Sequence, residues 1–312
     1  MKAVLPAIAR GLLEAQLPDG IEPAWFTSPA EANAMIANAE IAWVDMQPTA
    51  LVADAIRAAG PQLKWVSTIY AGLDAFPLDL LRARGVTLTN GAGINAVAVA
   101  EYAVLGILAA AKRFDQVVRG QDRQEWPKDA PGKVELDGTR ALVVGYGTIG
   151  RLIGDRLAAF GVEVTGVTRS GRAGTLTADA WRAVLGDYDW VVLAAPSTHA
   201  TKAMIGGQEL AAMKRSAWLI NVARGDMIDE APLLAALASG GIAGAFLDPT
   251  DPEPLPAGHP LWTAPNCMIS MHLSGRSQTK MFQRGAALFL ENAHAFVTGR
   301  AMRNVADLDA GY

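Results

Sequence analysis

The chain has 312 residues, 51% of them hydrophobic and 19% charged, and its 27 basic and 31 acidic side chains give a net charge of −4. That length accommodates two domains of about 150 residues each, and so apolar a composition excludes a disordered chain. Without a basic block there is no electrostatic footprint of a nucleic-acid binder, and a lone cysteine, Cys267, excludes both an internal disulfide framework and a cysteine-cluster metal site.

The apolar start, Ala3 to Ala9, is short, carries Pro6 and stops at Arg10, so it makes a poor signal-peptide core and a good first strand. Lys2 to Pro6 is expected as that strand. Ser28-Pro29-Ala30-Glu31 is a capping box with proline at the first helical position, which predicts a helix from Pro29. Strands are predicted at Ile41 to Asp45, Lys64 to Thr68 and Val86 to Thr89, with helical stretches at Ala50 to Ala59 and Pro77 to Arg84 between them. Such alternation implies a parallel sheet covered by helices.

A second series begins with a long apolar helix, Val97 to Ala111, whose early Glu101 and trailing Lys112 and Arg113 match the helix dipole. A polar stretch from Arg119 to Gly138 interrupts it. Trp126 and the arginines before it read as a dimer arm or an exposed loop. Strands follow at Ala141 to Val144, Val162 to Val167, Trp190 to Ala195, Ala217 to Val222, Ala243 to Leu247 and Cys267 to Met271. Most are continuously apolar, as strands buried on both faces require, and Cys267 within the last of them reads as a small hydrophobe. A final helix, Gln278 to Thr298, is expected to pack back on the first series. The longest segment free of Asp, Glu, Lys and Arg, Pro254 to Gly275, holds four prolines and two histidines, so no membrane span is expected and the protein reads as cytoplasmic.

Gly145-Tyr146-Gly147-Thr148-Ile149-Gly150 closes a buried strand and opens a helix. Gly145 permits the tight turn, Gly147 lets backbone approach a pyrophosphate and Gly150 allows close helix–strand packing, with the helix N-terminus offering N–H groups to the anion. A dinucleotide site is therefore expected here. An NAD site wants an acidic residue about 20 positions further on. Eighteen residues after Gly150 the chain instead has Thr168, Arg169, Ser170, Gly171 and Arg172. Guanidinium groups and hydroxyls suit a 2′-phosphate, so NADP is the preferred cofactor and NAD the alternative.

Three later segments carry acid–base chemistry. Arg224 follows a buried strand within Asn221-Val222-Ala223-Arg224-Gly225, Glu253 lies in the proline-stiffened loop that begins at Asp248, and His272 stands at the end of the last strand. In an open α/β sheet ligands bind beyond the carboxyl ends of the strands, so all three are expected on the side of the glycine turn. His199, His259 and His294 lack such partners and read as surface or packing residues.

With these blocks in order, the sequence resembles the D-isomer-specific 2-hydroxyacid dehydrogenases nearly end to end. The resemblance is carried by Gly91-Ala92-Gly93-Ile94-Asn95 with the Ala98-Val99-Ala100-Glu101 helix, by the glycine turn, by Asn221 to Gly225, by Asp248 to Pro256 and by Asn304-Val305-Ala306-Asp307. It implies an α/β fold of two Rossmann-like or flavodoxin-like parallel-sheet domains with the active site in the interdomain cleft, and commonly a homodimer built through the cofactor domains. A substrate-binding domain of residues 1–94 plus 276–312 and a dinucleotide-binding domain of residues 95–275 are expected.

By the same resemblance Arg224 binds the substrate carboxylate and polarises the 2-oxo group, His272 is the general acid as hydride reaches carbon, and Glu253 orients the imidazole and holds it protonated. The 70–72 loop, Tyr70-Ala71-Gly72, matches the one that grips the substrate carboxylate, with Arg224 and His272 completing the substrate contacts. Asp248 matches a carboxylate near the nicotinamide. Pro196, Val222, Ala223, Arg224 and His272 join Gly145 to Gly150, Thr168, Arg169, Ser170 and Arg172 in the expected cofactor site. Two departures stand out. Met271 precedes the histidine where proline is usual, and Pro249 follows Asp248 where valine is usual. Formate-using relatives carry glutamine at the Glu253 position, so glutamate favours 2-oxo acids. No metal is implied. The expected partner is a small 2-oxo or 2-hydroxy acid such as glyoxylate or hydroxypyruvate, with Tyr70, Leu73 and Arg276 near its pocket. NADPH-dependent reduction leads, and NAD-dependent oxidation of a hydroxy acid and a dinucleotide-sensing regulator on the same fold remain as alternatives.

Overall fold

The computed structural model describes residues 1–46, 50–73, 75–172, 174–276 and 278–309. Among them the strands are β1 (Lys2–Pro6), β2 (Glu22–Phe26), β3 (Ile41–Trp43), β4 (Trp65–Ser67), β5 (Thr87–Thr89), β6 (Arg140–Val144), β7 (Glu163–Val167), β8 (Thr175–Leu176), β9 (Trp190–Leu193), β10 (Trp218–Asn221), β11 (Gly244–Leu247) and β12 (Cys267–Ile269). The helices are α1 (Arg10–Leu13), α2 (Pro29–Ile36), α3 (Ala50–Ala58), α4 (Leu78–Ala83), α5 (Ala96–Lys112), α6 (Phe114–Asp122), α7 (Thr148–Ala158), α8 (Gly207–Ala212), α9 (Glu230–Ser239) and α10 (Met281–Val297). Contacts divide the chain into one unit of Met1–Asn95 with Gln278–Tyr312 and another of Ala96–Ser277.

The first unit is a parallel sheet in the order β2-β1-β3-β4-β5. Its inner strands are mostly apolar because successive side chains point to opposite faces and both faces are covered. Val4, Ala42, Val66 and Leu88 pack into a cluster with Ala32 and Ile36 of α2, Val52 and Ile56 of α3 and Leu81 of α4. Ala3, Leu5, Ile41, Trp43 and Trp65 face the other way and pack with Ala286, Phe289 and Ala293 of α10. Trp43 and Trp65 stack on Phe289, with ring centroids 5.6 and 4.9 Å apart. The last helix thus belongs to the first sheet. α2 begins at Pro29 as the capping box requires, with Ser28 Oγ accepting from the Glu31 N–H. The Glu31 carboxylate reaches one residue further back than expected and accepts from Thr27.

β2 has no counterpart in the sequence reading. Its Pro23 lacks a backbone donor, which only an edge strand tolerates, and β2 is that edge. The helix α6 likewise runs into the stretch read as an interruption.

The second unit is a parallel sheet in the order β12-β11-β10-β9-β6-β7-β8. Leu142, Val144, Val191, Leu193, Leu219 and Leu247 point into one cluster. Ala141, Val143, Val192, Ile220 and Phe246 point into another with α5 and α7. Gly106 lets α5 lie on the sheet, since a Cβ there would stand 2.6 Å from the Phe246 ring. Val144 pairs with Val167 and Leu193, and Asn221 with Leu247, which pairs with Ile269. The loops after these strands therefore leave from one edge.

Candidate active site

The glycine turn leaves β6 at that edge. Gly145 has φ +99°, and a Cβ on it would stand 2.3 Å from the Ala195 backbone nitrogen. On Gly150 a Cβ would meet the Gly145 carbonyl oxygen at 2.2 Å. Gly147 has open space where a Cβ would point, and as N-cap of α7 it supplies no side-chain cap. The first N–H groups of the helix, borne by Gly147, Thr148 and Ile149, are thus left for an anion. The Tyr146 side chain fills a slot between Gly166 of β7 and Gly154 of α7, where Cβ atoms would stand 2.3 Å from its ring and 2.4 Å from its hydroxyl. Its hydroxyl pKa is raised, mainly by burial and then by the Asp155 charge. These features fit a dinucleotide pyrophosphate: a bare backbone cradle with donors aimed at it.

At the end of β7 no carboxylate follows. Thr168 Oγ1 accepts from the Arg172 N–H at 3.1 Å and lies 2.9 Å from Thr175 Oγ1. The Thr175 hydroxyl donates to the Arg172 carbonyl, so the Thr168 proton goes to Thr175. Thr168 is therefore occupied in shaping the loop. Ser170 bridges to Thr177 just beyond β8, and Arg169, Ser170 and Arg172 are exposed on the resulting short ribbon.

Further along the edge, Pro196 follows β9, and its carbonyl accepts from Thr201 Oγ1 at 2.8 Å. Val222 and Ala223 follow β10 with side chains in the core, 6% and 8% exposed, so only their backbone remains for a ligand. Arg224 comes next, half-buried, its Nη1 donating to the Ala223 carbonyl at 2.8 Å. Gly225 is fixed by contact: a Cβ there would stand 2.1 Å from the Thr250 carbonyl carbon. The turn carrying Arg224 therefore rests on the backbone of the loop carrying Glu253.

Glu253 Oε1 lies 2.6 Å from Nδ1 of His272, both side chains being partly exposed. A carboxylate only accepts, so Nδ1 carries the hydrogen and Nε2 is left to exchange a proton with a ligand. Asp248 builds the support for this pair. It is 1% exposed, and its Oδ1 accepts from Ser270 Oγ, from the Leu273 N–H and from the Ser274 N–H, while Oδ2 accepts from Ser274 Oγ. The Asp248 carbonyl accepts from the His272 N–H at 2.7 Å. These four donors match the roughly four acceptor positions of a carboxylate. The sequence reading gave Asp248 to the cofactor, and the structure adds that it holds the histidine loop.

Met271 and His272 both have φ +53°. For side chains of this size the left-handed region costs on the order of 1–3 kcal/mol per residue, offset here by the Asp248 bonds. Proline cannot adopt that angle. The methionine that departs from the usual pattern therefore marks a different approach of the chain to the histidine.

In the first unit, the 70–72 loop follows β4. The Tyr70 carbonyl accepts from the Gly91 N–H at 2.8 Å and the Ala71 carbonyl from Asn90 Nδ2 at 3.4 Å. In a trans peptide the N–H points opposite to the preceding carbonyl, so the N–H groups of Ala71 and Gly72 both point away from residues 90–91. Neither has a hydrogen-bond partner among the described residues. Two backbone donors on one side of a bent loop have the chemistry to take an anion. Leu73 is in the core, which removes it from the pocket-lining residues expected from sequence. Arg276 ends a short 3-10 turn in the second unit.

Two of the remaining histidines make local contacts. His259 Nδ1 accepts from the Leu261 N–H, and Nε2 lies 3.4 Å from Glu230. The His294 carbonyl takes the Thr298 hydroxyl at the end of α10. The Cys267 thiol pKa is pushed up to about 12 by burial, so it does not serve as a nucleophile. No group of three or more metal-ligating side chains occurs among the described residues, and none of their helices is long and apolar enough to cross a membrane.

A family model described as D-isomer specific 2-hydroxyacid dehydrogenase, NAD binding domain, matches residues 104–274. The chain belongs to the D-isomer-specific 2-hydroxyacid dehydrogenase family. It is 33% identical over 254 residues to a glyoxylate reductase/hydroxypyruvate reductase of Mus musculus, covering 78% of this chain and 77% of that one. It is 32% identical over 292 residues to a glycerate dehydrogenase of Methylorubrum extorquens, covering 89% and 88%. A solved D-isomer specific 2-hydroxyacid dehydrogenase family protein from Aeromonas salmonicida superposes with a TM-score of 0.87 at 30% identity, over 99% of each chain. This 2-hydroxyacid dehydrogenase is accordingly an oxidoreductase that uses a nicotinamide dinucleotide on small 2-hydroxy or 2-oxo acids.

Proposed function

We propose that this dehydrogenase works as an NADPH-dependent reductase of small 2-oxo acids, giving D-2-hydroxy acids, with glyoxylate and hydroxypyruvate as first candidates. The observation that carries the chemistry is the 2.6 Å contact between Glu253 and Nδ1 of His272 at the edge that also bears the glycine turn. Nε2 of His272 donates a proton to the carbonyl oxygen as it becomes a hydroxyl, and takes it back in the reverse direction. Glu253 accepts from Nδ1 and keeps the ring oriented, leaving Nε2 to serve the substrate. Arg224 grips the carboxylate and polarises the 2-oxo group with a planar, permanently charged fork. The Ala71 and Gly72 N–H groups take carboxylate oxygens, which makes the first unit the substrate-binding one. The nicotinamide, when bound in the second unit, supplies the hydride.

Support for NADPH comes from Arg169 and Arg172 and from the missing carboxylate after β7. Turnover with glyoxylate, hydroxypyruvate, pyruvate and 2-oxoglutarate, followed with NADPH and NADH in parallel, is expected to favour NADPH. A charge-assisted hydrogen bond contributes about 1.5–3 kcal/mol, so Arg169→Asp should lower kcat/KM for NADPH roughly 10- to 150-fold and spare NADH. Tighter binding of NADH by the unaltered enzyme would overturn the cofactor assignment.

A homodimer through the second unit is part of the same reading. Phe114, Val117 and Val118 form an apolar stripe on α6 at 54%, 40% and 42% exposure, and Trp126 beyond it is 96% exposed. Apolar surface of this kind on one helix marks an interface. Sedimentation equilibrium is expected to give twice the chain mass, and Val117→Glu with Trp126→Ala to shift it toward the single chain.

A further inference from the structure

We propose that Asp45 is a positioning residue for the reaction: through Thr68 and Ile69 it fixes the 70–72 loop so that the Ala71 and Gly72 N–H groups stay aimed together at the substrate carboxylate. The proposal rests on the reading of that loop given under Proposed function. Asp45 lies two residues beyond β3. Its Oδ2 accepts from Trp43 Nε1 and from the Ile69 N–H, both at 2.8 Å, and its Oδ1 from Thr68 Oγ1 at 2.6 Å. Thr68 Oγ1 in turn accepts from the Tyr70 N–H at 3.1 Å. A hydroxyl has one hydrogen, and here it points at Asp45. The chain of donors runs from Tyr70 through Thr68 to the carboxylate.

Other contacts close the loop's remaining sides without any charge. A Cβ on Gly91 would stand 1.9 Å from the Ile69 carbonyl oxygen, and one on Gly285 of α10 would stand 2.4 Å from Ile69 Cγ2. Backbone and helix therefore press on residue 69 from two directions. Asp45 is the ionisable group in this grip.

Burial pushes the Asp45 carboxyl up to about 6, against the pull of the Thr68, Ile69 and Trp43 donors. It also lines a cavity of about 390 Å³ beyond the ends of β1, β2 and β3, with Phe26, Thr27, Ser28 and Met46 among its neighbours. Neither those neighbours nor the three donors ionise in the working range, so the titration of this grip belongs to Asp45. A proton arriving there meets donors already directed at both oxygens, and the Thr68 hydroxyl is the one able to turn away. Turning it releases the Tyr70 amide from its orienting relay.

The test compares Asp45→Asn and Thr68→Val with the unaltered enzyme. For Asp45→Asn, KM for the 2-oxo acid is expected to rise roughly tenfold or more, with kcat and the NADPH dissociation constant unchanged. In the unaltered enzyme KM is expected to rise below about pH 6, and in Asp45→Asn that rise should vanish. Thr68→Val should raise KM in the same direction, which guards against a misfolded aspartate variant, and thermal melting reports the fold of both. Oxalate binding by calorimetry separates the two layers of the argument. If the unaltered enzyme binds oxalate and both variants bind it equally well with an unchanged pH profile, Asp45 is not a positioning residue. If the unaltered enzyme neither binds oxalate nor turns over any 2-oxo acid, the loop is not a carboxylate seat and the proposal falls with it.

Discussion

Replacing His272 by alanine is expected to lower kcat for 2-oxo acid reduction by roughly 10²- to 10⁴-fold, the usual range for a positioned general acid. The dissociation constant for NADPH should move far less than kcat, because the glycine turn and the loop after β7 form without the imidazole. Glu253→Gln separates orientation from charge. The amide oxygen still accepts from Nδ1 and keeps the ring oriented, so the loss should be smaller than in His272→Ala. Stopped-flow measurement of the chemical step, with cofactor binding measured by fluorescence titration, checks both. A parallel fall of kcat and NADPH affinity in His272→Ala would make the histidine a binding side chain and remove it from the proton transfer.

The second large effect belongs to Arg224. Removing one member of a desolvated charge pair costs about 2–5 kcal/mol, so Arg224→Ala should reduce kcat/KM by roughly 30-fold to several thousandfold. Arg224→Lys keeps the charge and loses the fork, and it should recover only part of the loss. Melting temperature should change little, because the turn is held by the Gly225 contact on residue 250 and by Asn221 Nδ2 donating to the Arg224 carbonyl at 2.8 Å. Wild-type rates in Arg224→Ala would show that the backbone loop alone holds the carboxylate.

Much of this was legible in the sequence, for reasons that can be located. Strands buried on both faces are apolar along their whole length, so β6, β9, β10 and β11 show as unbroken runs such as Trp190 to Leu193. Gly145 and Gly150 are demanded by atoms 2.2–2.3 Å from a missing Cβ, which is why they punctuate the chain so clearly. The hidden parts are those whose determinants lie far away. β2 is short of apolar residues and carries a proline because it pairs on one side only, and β8 is two residues long. Asp45 appears in sequence as the end of a strand. Its partners in the loop, Thr68 and Ile69, are 23 and 24 positions away, and no local pattern connects them. Asp248 was visible as a motif residue, but its grip on Ser270, Leu273 and Ser274 depends on the pairing of β11 with β12. Met271 was visible as a departure, and its left-handed backbone supplies the reason a proline is absent.

The route of the chain has a further consequence. Everything between Ala96 and Ser277 is a guest in the middle of a host that begins at Met1 and resumes at Gln278. The host's two cut ends are already tied: Gln278 Nε2 donates to Asn95 Oδ1, and Arg284 donates to both the Ile94 carbonyl and Gln278 Oε1. The host sheet and the helix that covers its aromatic face contain no residue of the guest. A short peptide joining residue 95 to residue 278 is expected to reseal the host along a seam that its own side chains already stitch.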